Sequence, residues 1–290
     1  MNRHIFFIAS LIVLLTACQS RKHFSEEQLQ QGRLPGRFSV TEDQQVYFSQ
    51  GNLQYCPATH TYRFAANQLA VIGKMNDSIS RHYDGYIDLF GSGTGKHPAS
   101  YGTVDLFYRQ FDDWGLNPIS NGGDEGGIWR TLTKTEWNYL LYHRPNAKQL
   151  ATVGFVNDSN IVVILFPDGY HAQSSSFVPL MDTVGFNVLH RYSSSETQTL
   201  QQEGAVLLPA AGHRQGVPDD LILTAVSHVG DECAYWFAPD TTESGYNWRA
   251  REEVLFDTHL ITLNLVIISE NALFSATGLA VRLVQDVRNK

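Results

Sequence analysis

The chain has 290 residues, 43% of them hydrophobic, 12% aromatic and 17% charged, a balance that excludes a disordered tail, a coiled coil and a multi-span membrane protein. A formal net charge of -8 leaves no basic face to neutralise phosphates and argues against nucleic acid as a partner.

Residues 1–17 have the layout of a secretory signal: Arg3 gives a positive start, and the apolar run Ile5 to Leu15 is too short for a mature membrane span. The run ends in Leu15-Thr16-Ala17-Cys18, which resembles the bacterial lipobox, whose cysteine is acylated and becomes the first mature residue. That resemblance implies a lipid anchor on Cys18, outer-membrane localisation, and a protein tied to the membrane rather than spanning it. Residues 18–36 continue as a polar, Gln-rich stretch with little to bury and are expected to be a flexible tether. Residues 37–287 are expected to form one loop-rich domain, because Gly, Asn, Asp and Ser punctuate short apolar runs and no solenoid-length repeat occurs.

Within that domain Val46-Tyr47-Phe48, the turn Gln50-Gly51-Asn52 and Tyr62-Arg63-Phe64 predict a hairpin-like pair. Thr133 to Arg144 predicts a helix: Thr133 and Glu136 have capping-box spacing, Trp137, Leu140 and Leu141 share a face, and Pro145 stops it. Ile161 to Phe166 is an uninterrupted β-branched run, the pattern of a strand covered on both faces. A second helix is expected near Ser195 to Glu203, with strands at Ala205 to Leu208, His259 to Ile268 and Leu279 to Val284. The sum is an α+β fold whose sheet pairs strands distant in sequence.

Few motifs carry chemistry. The run Phe90 to His97, FGSGTGKH, has the wrong spacing for a phosphate loop and places His97 where a magnesium-ligating hydroxyl is needed. The 11 histidines form no HExxH pattern. Asp112-Asp113, Asp124-Glu125 and Asp219-Asp220 sit among turn residues; solvated turns are the expectation, with loop calcium as the weaker alternative and no other cofactor or metal implied. No GxSxG elbow marks a serine nucleophile, although a Ser-His-acid set assembles only in the fold. Cys56 and Cys233 either pair as a disulfide or are buried thiols. Tyr246, Asn247, Trp248, Arg249 and Arg251 place rigid aromatic rings beside planar donors in a loop-like segment and are the candidate ligand contacts, while Trp129, Trp137 and Trp236 are assigned to the core.

The run Trp129-Arg130-Thr131-Leu132-Thr133-Lys134-Thr135-Glu136-Trp137 resembles the helix start of the C-type-lectin-like and formylglycine-generating-enzyme fold. VYFSQGNLQY at Val46, YRFAANQ at Tyr62, IDLFGSGTG at Ile87, WGLNPISNGG at Trp114, GAVLLPAAGHR at Gly204, AYWF at Ala234 and GLAVRLV at Gly278 extend it to Bacteroidetes surface lipoproteins related to that fold, in order along nearly the whole domain. The resemblance implies a compact α+β domain whose terminal strands pair beneath a loop face that binds a ligand. Two departures matter. The late cysteine pair of the enzyme branch is missing, leaving Cys233 alone, and the Glu-Pro-Asn, Gln-Pro-Asp and Trp-Asn-Asp tripeptides of the sugar-binding branch do not occur. The expected function is therefore a non-catalytic, lipid-anchored module of the cell envelope that binds a glycan or protein. The alternatives are a modifying enzyme of altered chemistry, with Cys233 beside a histidine as its required sign, and a structural part of a surface assembly. In relatives diversified by retroelements the segment before the closing strand varies; Ser244 to Thr277 occupies that place here.

Overall fold

The computed structural model describes residues 24–77, 82–91, 93–95, 111–157, 160–171, 189–214, 226–230, 232–239, 253–257, 267–269 and 278–288. In chain order these form helix α1 (Glu26–Gln30) and strands β1 (Phe38–Ser39), β2 (Gln45–Phe48), β3 (Leu53–Cys56) and β4 (Thr61–Phe64). Helix α2 (Lys134–Asn138) follows, then β5 (Ala151–Val156), β6 (Asn160–Leu165), β7 (His190–Tyr192) and helix α3 (Ser194–Gln202). The last strands are β8 (Val206–Pro209), β9 (His213–Arg214), β10 (Val226–Ser227), β11 (Glu232–Trp236), β12 (Glu253–Asp257), β13 (Ile267–Ser269) and β14 (Val284–Asp286). The fold is α+β, built from small sheets and short helices joined by much irregular backbone. Among the described residues no helix is long and apolar enough to cross a membrane.

The four-stranded sheet, in the order β7-β5-β6-β8, shows why its central strand is so apolar. Ile161, Val163 and Leu165 of β6 face one cluster with Trp137 and Leu140, while Val162 and Ile164 face another with Phe166, Leu200 and Leu207. Both faces are covered from Ile161 to Leu165, so none of those positions has reason to be polar, and only the exposed Asn160 at the strand's start is.

Helix α2 starts where its caps require. The Thr133 hydroxyl accepts from Glu136 N and the Glu136 carboxylate accepts from Thr133 N, so two orphaned donors are satisfied reciprocally. Arg130 donates to both Glu136 oxygens, at 2.7 and 2.6 Å, and to Asp286 of β14, which locks the helix start to the end of the chain. The helix continues through a wider, π-type turn over Tyr139–His143 that carries Leu140 and Leu141 into the core with Trp137. Helix α3 begins with the same device, Ser193 and Glu196 exchanging side-chain and backbone bonds.

The closing segment 278–286 runs through the middle of the molecule, which explains its sequence. Leu279 exchanges backbone bonds with Phe90, Ala280 with Ala234 and Trp236, and Val284 with Arg130; the oxygens of Val281 and Leu283 accept from Leu53 and Ser49. Only Val284–Asp286 pairs as a regular strand, against β2, because each earlier residue meets a different neighbour. Arg282 is fully buried there, its guanidinium bonded to Asn52 Oδ1 and to the backbone oxygens of Ser49, Gln68 and Leu207.

Two expectations require correction. β2 does not pair with β4: it lies between β1 and β14, and β4 forms its hairpin with β3, where Leu53 faces Phe64 and Tyr55 faces Tyr62. Residues 24–36 are not a flexible tether: Phe24 and Leu29 are buried in a cluster with Phe64 and Trp129, and Leu34 N donates to Phe48 O. These few apolar side chains, with a free strand edge to bond, are enough to hold the segment down.

Candidate functional site

Tyr246, Asn247, Trp248, Arg249 and Arg251 lie outside the described residues, as do Cys18 and most of Ser244 to Thr277. Residues 240–252 lie between β11 and β12 in the sequence. Glu253 of β12 faces Trp236 of β11, and the Trp236 indole N–H donates to Phe90 O at 2.6 Å. Phe90 is bonded both ways to Leu279, and the adjacent Gly278 is bonded both ways to Arg214, which pairs with Val226. Thr94 Oγ1 donates to Gly91 O, and Gly95 N to Asp112 O. The described ends of four chain segments, those around 96–110, 215–225, 240–252 and 270–277, therefore converge on one hub formed by Phe90, Arg214, Trp236 and Leu279.

The hub accounts for the glycine-rich run. Thr94 and Gly95 are fixed by Asp112, and Gly95 O accepts from the Tyr62 hydroxyl and the Asn117 amide. In the described part of the run, the backbone of Gly91, Gly93 and Gly95 is spent on internal bonds. Asp113 is similarly occupied, accepting from Gly115 N, Thr131 N and the Thr131 hydroxyl. Among the described residues no group of three or more His, Cys, Asp or Glu side chains is arranged to hold a metal ion.

Both cysteines described are buried free thiols, so the structure has the second of the two alternatives and not the disulfide. Cys56 Sγ donates to Asp84 O and Cys233 Sγ to Leu208 O. Cys233 is fully buried, and burial pushes its thiol far up, away from the thiolate a nucleophile needs. Trp129, Trp137 and Trp236 are buried as expected.

A polar group that no sequence motif marks lies beside the hub. His213 and Ser227 face each other across the β9–β10 pair, Ser227 Oγ lies 3.1 Å from His213 Nε2, and His213 Nδ1 lies 2.9 Å from Glu232 Oε1 at the start of β11. A carboxylate only accepts hydrogen bonds, so Nδ1 carries the proton and, in the neutral ring, Nε2 accepts from the serine hydroxyl. Gly212 sets the geometry. Its φ of +69° suits glycine, and a Cβ there would collide with Ser227 O, so only glycine lets the two strands close up. The ring of His228 stacks on that of His213 at 5.4 Å. The side chains of His213 and Glu232 are 21% and 17% exposed, so the group is ordered yet open to solvent.

Comparison with protein-family models, with curated proteins and with solved structures finds no match to this chain.

Proposed function

We propose that the protein is a lipid-anchored module of the cell envelope, with a C-type-lectin-like domain whose loop face binds a glycan or protein ligand. The observation that supports this reading is the hub: Phe90, Arg214, Trp236 and Leu279 bring together the described ends of four long connections, one of which carries Tyr246, Asn247, Trp248, Arg249 and Arg251. A rigid frame with connections rooted at one place is how binding surfaces are built on loops. The seven stretches resembling Bacteroidetes surface lipoproteins and the Leu15-Thr16-Ala17-Cys18 run support the anchor and the outer membrane as its location.

The test is a binding screen of residues 19–290, which keeps the packed Phe24, against glycan and protein arrays beside a Trp248, Arg249 and Arg251 triple-alanine variant of confirmed fold. A ligand lost in the variant is the expected result. One retained moves the site elsewhere on the domain, and silence from both shifts weight to a structural part in a surface assembly.

A further inference from the structure

We infer that Ser227 is an acyl-accepting nucleophile activated by His213, with Glu232 as the positioning residue, and that this site takes an ester of a small apolar acyl group. The inference goes beyond ligand binding and departs from the non-catalytic expectation. It stands on which atoms meet: the serine hydroxyl on Nε2, the carboxylate on Nδ1, at 3.1 and 2.9 Å. That order leaves Nε2 unprotonated where it meets the Ser227 hydroxyl and sets an anion against Nδ1 of the ring that becomes positive when the proton arrives. Hydrogen bonding alone would be served by either ring nitrogen on either partner. The surroundings fit an apolar acyl chain: Val229, two residues after Ser227, is 40% exposed, and β10 packs against the turn Gly73–Asp77, which carries Met75 at 54% exposed.

In the reaction Ser227 Oγ bonds to the acyl carbon while its proton passes to His213 Nε2. The bond to the leaving alcohol breaks, and the alcohol takes that proton. Water then attacks the acyl-serine, giving one proton to His213 and releasing the acid as His213 returns the proton to Ser227. Water is the only co-reactant.

The full chain is treated with a tagged alkyl fluorophosphonate and, separately, with p-nitrophenyl butyrate, whose good leaving group asks little beyond a nucleophile and a base. The expected result is one label per chain, mapped by peptide mass to Ser227, and release of p-nitrophenol. Ser227→Ala should abolish both, and His213→Asn should slow labelling by about 10²-fold or more, the usual contribution of a general base. Glu232→Gln keeps the shape and should slow it by a smaller factor. Circular dichroism confirms that each variant is folded. A folded wild-type chain that takes no label overturns the inference. So does label that persists in Ser227→Ala, or a rate in His213→Asn equal to wild type.

Discussion

Arg282 and His213 are both polar side chains set among apolar strands, and the chain holds them in opposite ways. Arg282 is fully buried, bonded to carbonyl oxygens from three separate parts of the chain, and burial pulls its pKa down to about 10. It cannot shift without moving Ser49, Gln68 and Leu207 with it. His213 is bonded to two side chains, Ser227 and Glu232, and keeps a fifth of its own surface in water. The difference separates a frame, where polar groups are consumed in holding strands together, from a rim, where they are ordered but still able to exchange partners. A functional group belongs on the rim, and its removal should leave the frame intact.

The comparison is broken most severely at Trp137, which joins α2 to β6 within the main cluster. Trp137→Ala should cost about 3–5 kcal/mol, the range for removing a buried tryptophan, read as a fall in the urea midpoint at unchanged slope. A shift no larger than that of a surface substitution would remove Trp137 from the frame.

Asp88 tests the frame by pH. Its carboxylate is buried and accepts from Asn76 Nδ2 and Ile72 N; burial raises its pKa to about 6, against the lowering effect of those bonds. The folded value lies above the unfolded value of about 3.9, so the folded chain holds the proton more tightly. This contribution is fully present below about pH 4 and is lost as pH rises through about 6, a change of about 2–3 kcal/mol between pH 4 and 7. The stability of wild type relative to Asp88→Asn should fall by that amount over the range. Parallel urea midpoints at every pH would show that Asp88 titrates as an ordinary carboxyl.

Thr133→Ala removes one half of the capping box while Arg130 still holds Glu136, so the loss should be about 1 kcal/mol, seen in thermal or urea unfolding. Thr133→Ser should restore most of it, since the hydroxyl and not the methyl makes the cap.

What the sequence revealed follows the range of the forces involved. The start of α2 was legible because caps act within three residues, and β6 because a strand covered on both faces has no alternation to confuse it; the capping box of α3 at Ser193 and Glu196 was missed, although its helix was expected nearby. The partner of β2 was not legible: Val46 and Phe48 pair with Asp286 and Val284, and no local pattern distinguishes that choice from the nearer Tyr62 to Phe64. Residues 24–36 looked like a tether because composition counts polar residues and cannot show that Phe24 and Leu29 have a place to go. The Ser227, His213 and Glu232 group left no motif, since its members are brought together by a strand pair and a turn; the one local sign was Gly212, directly before His213, in a run otherwise read only as part of a resemblance.

The smallest expected effect carries the most weight for the comparison. Ser227 and His213 form one cross-strand pair, and such pairs contribute roughly 0.2–1 kcal/mol. Ser227→Ala should therefore change stability by no more than about 1 kcal/mol, because the alanine keeps the strand and loses only a part-buried hydroxyl bond. A loss above about 2 kcal/mol would mean that the bond is one the frame depends on, as with Arg282, and that its geometry was selected for holding β9 to β10. A small loss in stability together with a complete loss of labelling is the combination a structural staple cannot produce, because a staple that hardly matters to folding has no means of abolishing a reaction at its own oxygen.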